Sequence, residues 1–346
     1  MNEIHVLDNH TVDKIAAGEV VERPFSIVKE LVENAIDAGA GHVTVEIKDG
    51  GISMIRVTDD GSGIDKSQLT KAFLRHATSK IKEAEDLSHI SSLGFRGEAL
   101  SSIAAVCQVE LITKTEEELT GQHFTINGGE AGELEEIGAP KGTTVIARNI
   151  FYNTPVRKKF LKTAMTEGNY IADFLQHIAL SAPQIAFQYI ANGQTKFFTS
   201  GNGDSREVIY RIYGKETANQ LLPISAQMDG ISVKGFLGKP ILCRANRAFE
   251  TIFVNGRYIK SSLVCSAVEE GYRTFLMQHK YPFVVLYLTI DPEKIDVNVH
   301  PTKMDVRFNN QQEIYNTLFA AVDDGLHERE LIPEVTLDDI KIPEEP

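Results

Sequence analysis

Hydrophobic positions along this chain change period several times, and each change marks an element. From Pro24, the apolar residues Ile27, Val28, Leu31, Val32, Ala35 and Ile36 recur at helical spacing. Proline in the first turn, with Gly39 and Gly41 past the end, supplies start and stop signals. Apolar side chains cover more than half of this helix, so it is predicted to pack into a core. Its remaining stripe is Glu30, Glu33, Asn34 and Asp37, at i, i+3, i+4 and i+7. The pattern then becomes alternating: residues 42–48 read as a half-buried strand, Asp49-Gly-Gly51 as a hairpin turn and residues 53–58 as the returning strand. Strands are also predicted at 109–113, 123–127 and 142–148, with a turn-forming segment over 128–138. A helix over 171–180 closes the first core, and Asn192-Gly193 centres a hairpin over 187–199. Ahead of all this, the small apolar segment 15–20 reads either as a short helix on its own domain or as an arm reaching a partner.

The polar, glycine-rich stretch 200–205 is the predicted domain boundary. Beyond it a helix starts at 207–213, alternating segments follow at 231–237 and 251–254, and a helix is predicted over 262–276. Residues 283–290 read as a strand buried on both faces, 291–308 as strand-like alternation around a Pro-Thr-Lys turn, and 313–326 as a closing helix. The expected organisation is a domain over 1–200, a second over 201–331, and an acidic, proline-containing linker beginning at 332–346.

Composition narrows the classes. A chain of 346 residues is long for one core, and 42% hydrophobic with 24% charged residues is ordinary for a globular protein. No apolar run is long enough to span a bilayer, and the N-terminus lacks a secretory signal. Cys107, Cys243 and Cys265 are scattered without histidines at ligand spacing, which argues against structural zinc and for a reducing, cytoplasmic setting. A net charge of −13 weighs against strong non-specific nucleic-acid binding by the molecule as a whole, while leaving room for a local basic groove.

The acidic stripe of the first helix has two readings. It is a solvated face, or it lines a pocket in which a carboxylate acts as base and an amide oxygen holds a hard cation. Asp59 follows Ile55 and Val57 onto the inward face of its strand, with Asp60 on the other. There Gly61 and Gly63 allow either a simple tight turn or a close approach to a ligand whose exocyclic amine, such as adenine's, the carboxylate accepts. Residues 75–81 read as a helix end and capped turn, with His76 structural or functional. Gly94-x-x-Gly97 ahead of a predicted helix either forms a surface loop or presents backbone N–H groups to an anion such as a triphosphate. It lacks the ending of a P-loop and the spacing of a dinucleotide fingerprint. Gly142-Thr-Thr144 turns into a strand under the same pocket, and Arg157, Lys158, Lys159 and Lys162 form a basic run that is ordinarily a solvated face.

In this order, the elements resemble the Bergerat-type ATP pocket shared by gyrase-type topoisomerases, the heat-shock chaperone, histidine kinases and MutL. Longer strings narrow the resemblance to the MutL family of DNA mismatch-repair proteins. They are Ile15-Ala-Ala-Gly-Glu-Val-Val-Glu-Arg-Pro24, Arg75-His-Ala-Thr-Ser-Lys80, Leu93-Gly-Phe-Arg-Gly-Glu-Ala-Leu100 and Phe151-Tyr-Asn-Thr-Pro155. Val254-Asn-Gly-Arg257 and Asp296-Val-Asn-Val-His-Pro-Thr-Lys303 extend it into the second domain. The resemblance runs from about residue 2 to residue 330 and matches the N-terminal half of a bacterial member, without its C-terminal dimerisation domain.

The resemblance implies an α/β (α+β) fold in two domains: an α/β-sandwich ATPase domain, then a smaller, transducer-like α/β domain of the ribosomal-protein-S5 type. It implies ATP and Mg²⁺ as cofactors, Glu30 as general base and Asn34 as the Mg²⁺ ligand. Asp59 is expected to read adenine, with Gly61 and Gly63 shaping the turn and Thr143 bonding nearby. Thr78, Ser79 and Lys80 are expected at the nucleotide, as is the phosphate-cradling lid of Gly94, Phe95, Arg96, Gly97, Glu98, Ala99 and Leu100. Lys303 is expected to reach the γ-phosphate from the second domain. The resemblance further implies slow hydrolysis, ATP-driven homodimerisation into a DNA clamp, and DNA contacts at Arg257, Arg157, Lys158 and Lys159. Its implied partners are the mismatch-recognition protein MutS and a downstream nuclease or helicase, in a cytoplasmic, nucleoid-associated setting with no membrane. Two other classes stay open: a nucleotide-gated DNA- or partner-binding module with incidental hydrolysis, and a topoisomerase-like head. Glu30 favours the enzyme, because binding alone needs no base.

Overall fold

The computed structural model describes residues 16–78, 97–228, 230–296 and 306–327. Its contacts divide the chain into a unit ending at Ile212 and one beginning at Tyr213. In the first, the strands are β1 (His42–Lys48), β2 (Met54–Asp59), β3 (Gln108–Lys114), β4 (Gly121–Asn127), β5 (Glu130–Ile137), β6 (Gly142–Arg148), β7 (Ala186–Ala191) and β8 (Gln194–Phe198). They form one sheet in the order β5-β4-β3-β6-β2-β1-β7-β8. The pairing of β1 with β7 is parallel, and β1–β2 and β2–β6 are antiparallel. Asn192 and Gly193 both take positive φ, 50° and 76°, as the two-residue turn between β7 and β8 requires.

Helices α1 (Pro24–Asp37), α2 (Ala99–Val106) and α3 (Ala164–Ser181) supply the other half of this core. On α1, Ile27, Val28 and Val32 are fully buried, and the helix packs on β2, α2 and α3. α3 begins seven residues ahead of the predicted 171, at a Thr163 cap whose hydroxyl accepts the Thr166 N–H. The described part of the 15–20 segment is helical and buries Ala17 against its own chain. One expectation fails here. Residues 128–138 were predicted to be a turn-forming segment, yet 130–137 is strand β5 at the sheet's edge, paired with β4. Almost every β5 side chain is exposed, so no alternation of hydrophobicity betrays it.

The boundary also lies beyond the predicted 200–205. Helix α4 (Ser205–Asn219) starts in the first unit, where Val208 and Ile209 are fully buried and the Arg211 guanidinium stacks 4.3 Å over Phe198. The division falls within the helix, just ahead of Gly214, which leaves helical geometry at φ 86° and ψ 169°. From there Tyr213 packs edge-on against Phe283.

The second unit holds β9 (Leu221–Met228), β10 (Ile231–Gly238), β11 (Glu250–Val254), β12 (Arg257–Ile259) and β13 (Val284–Thr289), in the order β12-β11-β13-β10-β9. Helices α5 (Ser262–Gly271) and α6 (Gln311–His327) pack on one another, with Val264, Val268, Leu318 and Val322 fully buried. α5 stops at Gly271, short of the predicted 276. A Cβ there would sit 2.7 Å from a Val322 methyl, so the two helices pack closely at this residue. Central β13 has Val284, Val285 and Leu286 all fully buried, as a strand covered on both faces should. Short β14 (Ile295–Asp296) pairs with β15 (Arg307–Phe308). Among the described residues, no helix is long and apolar enough to cross a membrane.

Candidate nucleotide site

The site is assembled where β2 ends. Residues 55, 57 and 59 share a face, so Asp59 points inward beneath α1 while Asp60 points out. Asp60 ties down the start of β1: its carboxylate accepts the N–H groups of Gly41 (2.7 Å) and His42 (2.8 Å) and lies 2.7 Å from His42 Nδ1. Burial alone would raise its pKa, but these bonds outweigh burial and hold it below the usual range. Asp59 behaves oppositely. Burial raises its pKa, against the opposing pull of two N–H donors, Gly61 at 2.9 Å and Thr143 at 3.3 Å, and Asp60 adds to the rise. Both donors reach Oδ1.

The loop after Asp59 is fitted to its surroundings. The Ser62 N–H bonds the Ala38 carbonyl at 3.0 Å, docking the loop onto the end of α1, one turn past Asn34. A Cβ on Gly63, at φ 73°, would fall 2.2 Å from the Lys114 carbonyl; one on Gly142, at φ 114°, would fall 2.0 Å from the Asp59 carbonyl. Only glycine fits either place. Thr143 pairs directly with Asp59 across β2 and β6. Within α1, Glu33 forms an ion pair with Lys29 at 3.8 Å, which separates it from Glu30 on the same stripe. Glu30, Asn34 and Asp37 are half-buried.

Gly97, at φ 64°, abuts the Ala77 carbonyl, so the chain on either side of residues 79–96 comes together there. His76 Nδ1 lies 3.1 Å from a Glu98 carboxyl oxygen. Glu98 occupies the N-cap position of α2 without a side-chain capping bond, so the N–H groups at Ala99 and Leu100 begin the helix without that cap. Thr78 is half-buried. Ser79, Lys80, Gly94, Phe95, Arg96 and Lys303 lie outside the described residues.

Of the basic candidates, Lys158 and Lys159 are exposed, whereas the Arg157 guanidinium lies over the Gly18 backbone. Arg257 opens β12 after a turn in which Asn255 and Gly256 take positive φ. The Asn255 side chain clamps that turn by bonding both the N–H and the carbonyl of Ile290. One residue of the site went unnoticed in the sequence. Thr113, 1% exposed, accepts the Ile64 N–H and bonds both Gly142 and Thr143. The only signal was a polar residue at a core position of an alternating strand.

The donor set suits Mg²⁺ shared with phosphate. Among the described residues no three His, Cys, Asp or Glu side chains gather as a protein-only cage. An ion that keeps waters and takes most ligands from phosphates needs only a protein oxygen such as that of Asn34.

Comparison with known proteins places the chain in a family. Residues 22–144 match the family model described as histidine kinase-, DNA gyrase B-, and HSP90-like ATPase, and residues 209–327 match that of the DNA mismatch repair protein, C-terminal domain. The DNA mismatch repair protein MutL of Agathobacter rectalis is 56% identical over 99% of this chain and 53% of its own length. That of Caldanaerobacter subterraneus subsp. tengcongensis is 48% identical over 98% of this chain and 57% of its own. The chain thus spans about half the length of these curated relatives. Among solved structures, the N-terminal domain of a DNA repair protein superposes with a TM-score of 0.76 at 28% identity, covering 92% of this chain and 98% of that one. The Aquifex aeolicus MutL ATPase domain complexed with ADP matches with a TM-score of 0.59 at 27% identity, covering 79% of this chain and 94% of that one. The fold is the expected two-domain α/β arrangement, and the chain belongs to the MutL family of DNA mismatch-repair proteins, corresponding to the N-terminal, ATPase-type portion of its members.

Proposed function

We propose that this chain is the nucleotide-driven head of a DNA mismatch-repair protein, binding ATP with Mg²⁺ and hydrolysing it slowly. The observation that supports this best is the inward Asp59, held by the Gly61 and Thr143 N–H groups in a loop docked on the helix that carries Glu30 and Asn34. The ADP complex of the Aquifex aeolicus relative lends weight to it. In this reading Asp59 accepts the adenine amino group, and Glu30 takes the proton of the attacking water. Asn34 offers its amide oxygen to Mg²⁺, which supplies charge neutralisation at the phosphates when bound. The N–H groups from Gly97 to Leu100 face phosphate oxygens, and Lys303 is the candidate cation for the γ-phosphate.

The domain roles follow: 1–200 carries the nucleotide, 201–331 transmits its state, and 332 onward starts a linker. Nucleotide draws two heads together around DNA, contacted by Arg257 and the Arg157, Lys158 and Lys159 run. MutS and a nuclease or helicase are the partners, in the nucleoid-associated cytoplasm. The deciding experiment is steady-state ATP hydrolysis with Mg²⁺ over a range of protein concentrations, for the unaltered chain and Glu30→Ala. Activity that rises more steeply than concentration and is lost in the variant fits the proposal. Linear activity that survives in the variant removes Glu30 as base and leaves a nucleotide-gated binding module.

A further inference from the structure

We propose that Thr113 is a positioning residue that sets the site's preference for adenine over guanine by fixing the direction of the Thr143 hydroxyl proton. The inference rests on the nucleotide-binding reading above. β3 alternates buried and half-buried positions, and Thr113 takes one of the buried ones, after Val109 and Leu111. Valine would fill the same volume. A buried hydroxyl in that place is costly unless bonded, and this one is bonded three ways. It lies 2.9 Å from the Ile64 N–H, 3.0 Å from the Gly142 carbonyl and 3.1 Å from the Thr143 hydroxyl.

A hydroxyl has one proton and two lone pairs, so the directions can be assigned. Gly142 offers only a carbonyl acceptor and receives the Thr113 proton. Ile64 can only donate and fills one lone pair. The remaining lone pair takes the Thr143 proton. Thr143 therefore has no proton left for a ligand and presents acceptor lone pairs. Beside it, Asp59 Oδ1 takes the Gly61 and Thr143 N–H groups, and Oδ2 adds another acceptor. An edge built of acceptors matches the amino group of adenine. The carbonyl oxygen that guanine carries at the same ring position would set acceptor against acceptor.

The test is binding of ADP, GDP and inorganic pyrophosphate to the unaltered chain, Thr113→Val and Thr113→Ser, by titration calorimetry with thermal melts alongside. Valine frees the Thr143 proton and removes the anchor of Ile64. The expected result is a loss of about tenfold or more in the ADP-to-GDP preference in the valine variant. Pyrophosphate affinity should be unchanged, and the serine variant should keep the original preference. An unchanged preference in the valine variant overturns the proposal. So does an equal loss of ADP and pyrophosphate, or a serine variant that fails like valine. Should the valine variant melt below the assay temperature, Thr113→Ala repeats the measurement without filling the position. If the unaltered chain binds no ADP, the nucleotide-binding reading itself falls and this inference with it. Normal ADP binding with an unmoved preference removes only the role of Thr113.

Discussion

Asp59 ends β2 with its side chain half-buried and Asp60 follows it exposed, which gives the two neighbours unrelated duties. The exposed one anchors the entry to β1; the half-buried one faces the site. Asp59→Asn keeps the shape but replaces one acceptor oxygen with a donor, so ADP affinity should fall about tenfold or more by calorimetry while the melting temperature holds. Glu30→Ala should leave ADP affinity within about twofold and cut hydrolysis by 10²-fold or more, as loss of a general base does. Period two puts Asp59 on its inward face and period 3.6 puts Glu30 on one stripe with Asn34 and Asp37, whereas the choice of Glu30 as base came from the family resemblance. Thr113 was not legible in this way. Its partners lie 29 to 49 residues away along the chain, and only the register of β3 against β6 brings them together.

At the scale of elements, local signals carried most of the fold. β1 occupies the predicted 42–48, α1 starts at the predicted proline, and the Asn192-Gly193 turn sits where its residue types place it. These depend on neighbours within a few residues. β5 was missed because its order comes from backbone bonding to β4, which leaves no trace in the hydrophobic pattern. The turn after Asp59 also depends on distant backbone, and Gly142→Ala tests it. The substitution must either abandon φ 114° or drive a methyl into the Asp59 carbonyl. The expected cost is about 1–3 kcal/mol in denaturant unfolding, with nucleotide affinity falling as well. Truncation on the opposite side of α1 should behave differently. Leu31→Ala, at a residue only 4% exposed, should cost about 2–5 kcal/mol of stability without altering the preference among nucleotides in the protein that remains folded.

For the whole molecule, a buried carboxylate shapes the response of stability to pH. In the second unit, Glu250 is 5% exposed, with Arg247, Glu269 and Cys265 around it. Burial pushes its pKa up to about 7, Glu269 adds to the rise, and the Cys265 thiol and Arg247 oppose it. Folding therefore favours the protonated acid. Its contribution is fully present below the unfolded value near 4.5 and is lost as pH rises towards 7. Glu250→Gln should melt higher than the unaltered chain at pH 8 by about 2 °C or more, with the difference shrinking towards pH 5. An equal difference at both pH values would separate Glu250 from the effect.

The exposed strand β5 has a consequence for how the molecule behaves among its own copies. An outermost strand leaves a row of backbone donors and acceptors that invites another chain to extend the sheet. Glu130, Glu133, Glu135 and Glu136 stand along this one; among the described residues Glu136 pairs with Lys66, and Glu135 lies 3.5 Å from the His123 ring. Copies approaching edge to edge would bring like charges together within a few ångströms, so repulsion keeps the margin from polymerising. Acidification that neutralises these carboxylates should release that guard, and light scattering should then rise at a pH where the near-ultraviolet signal of the folded core still persists.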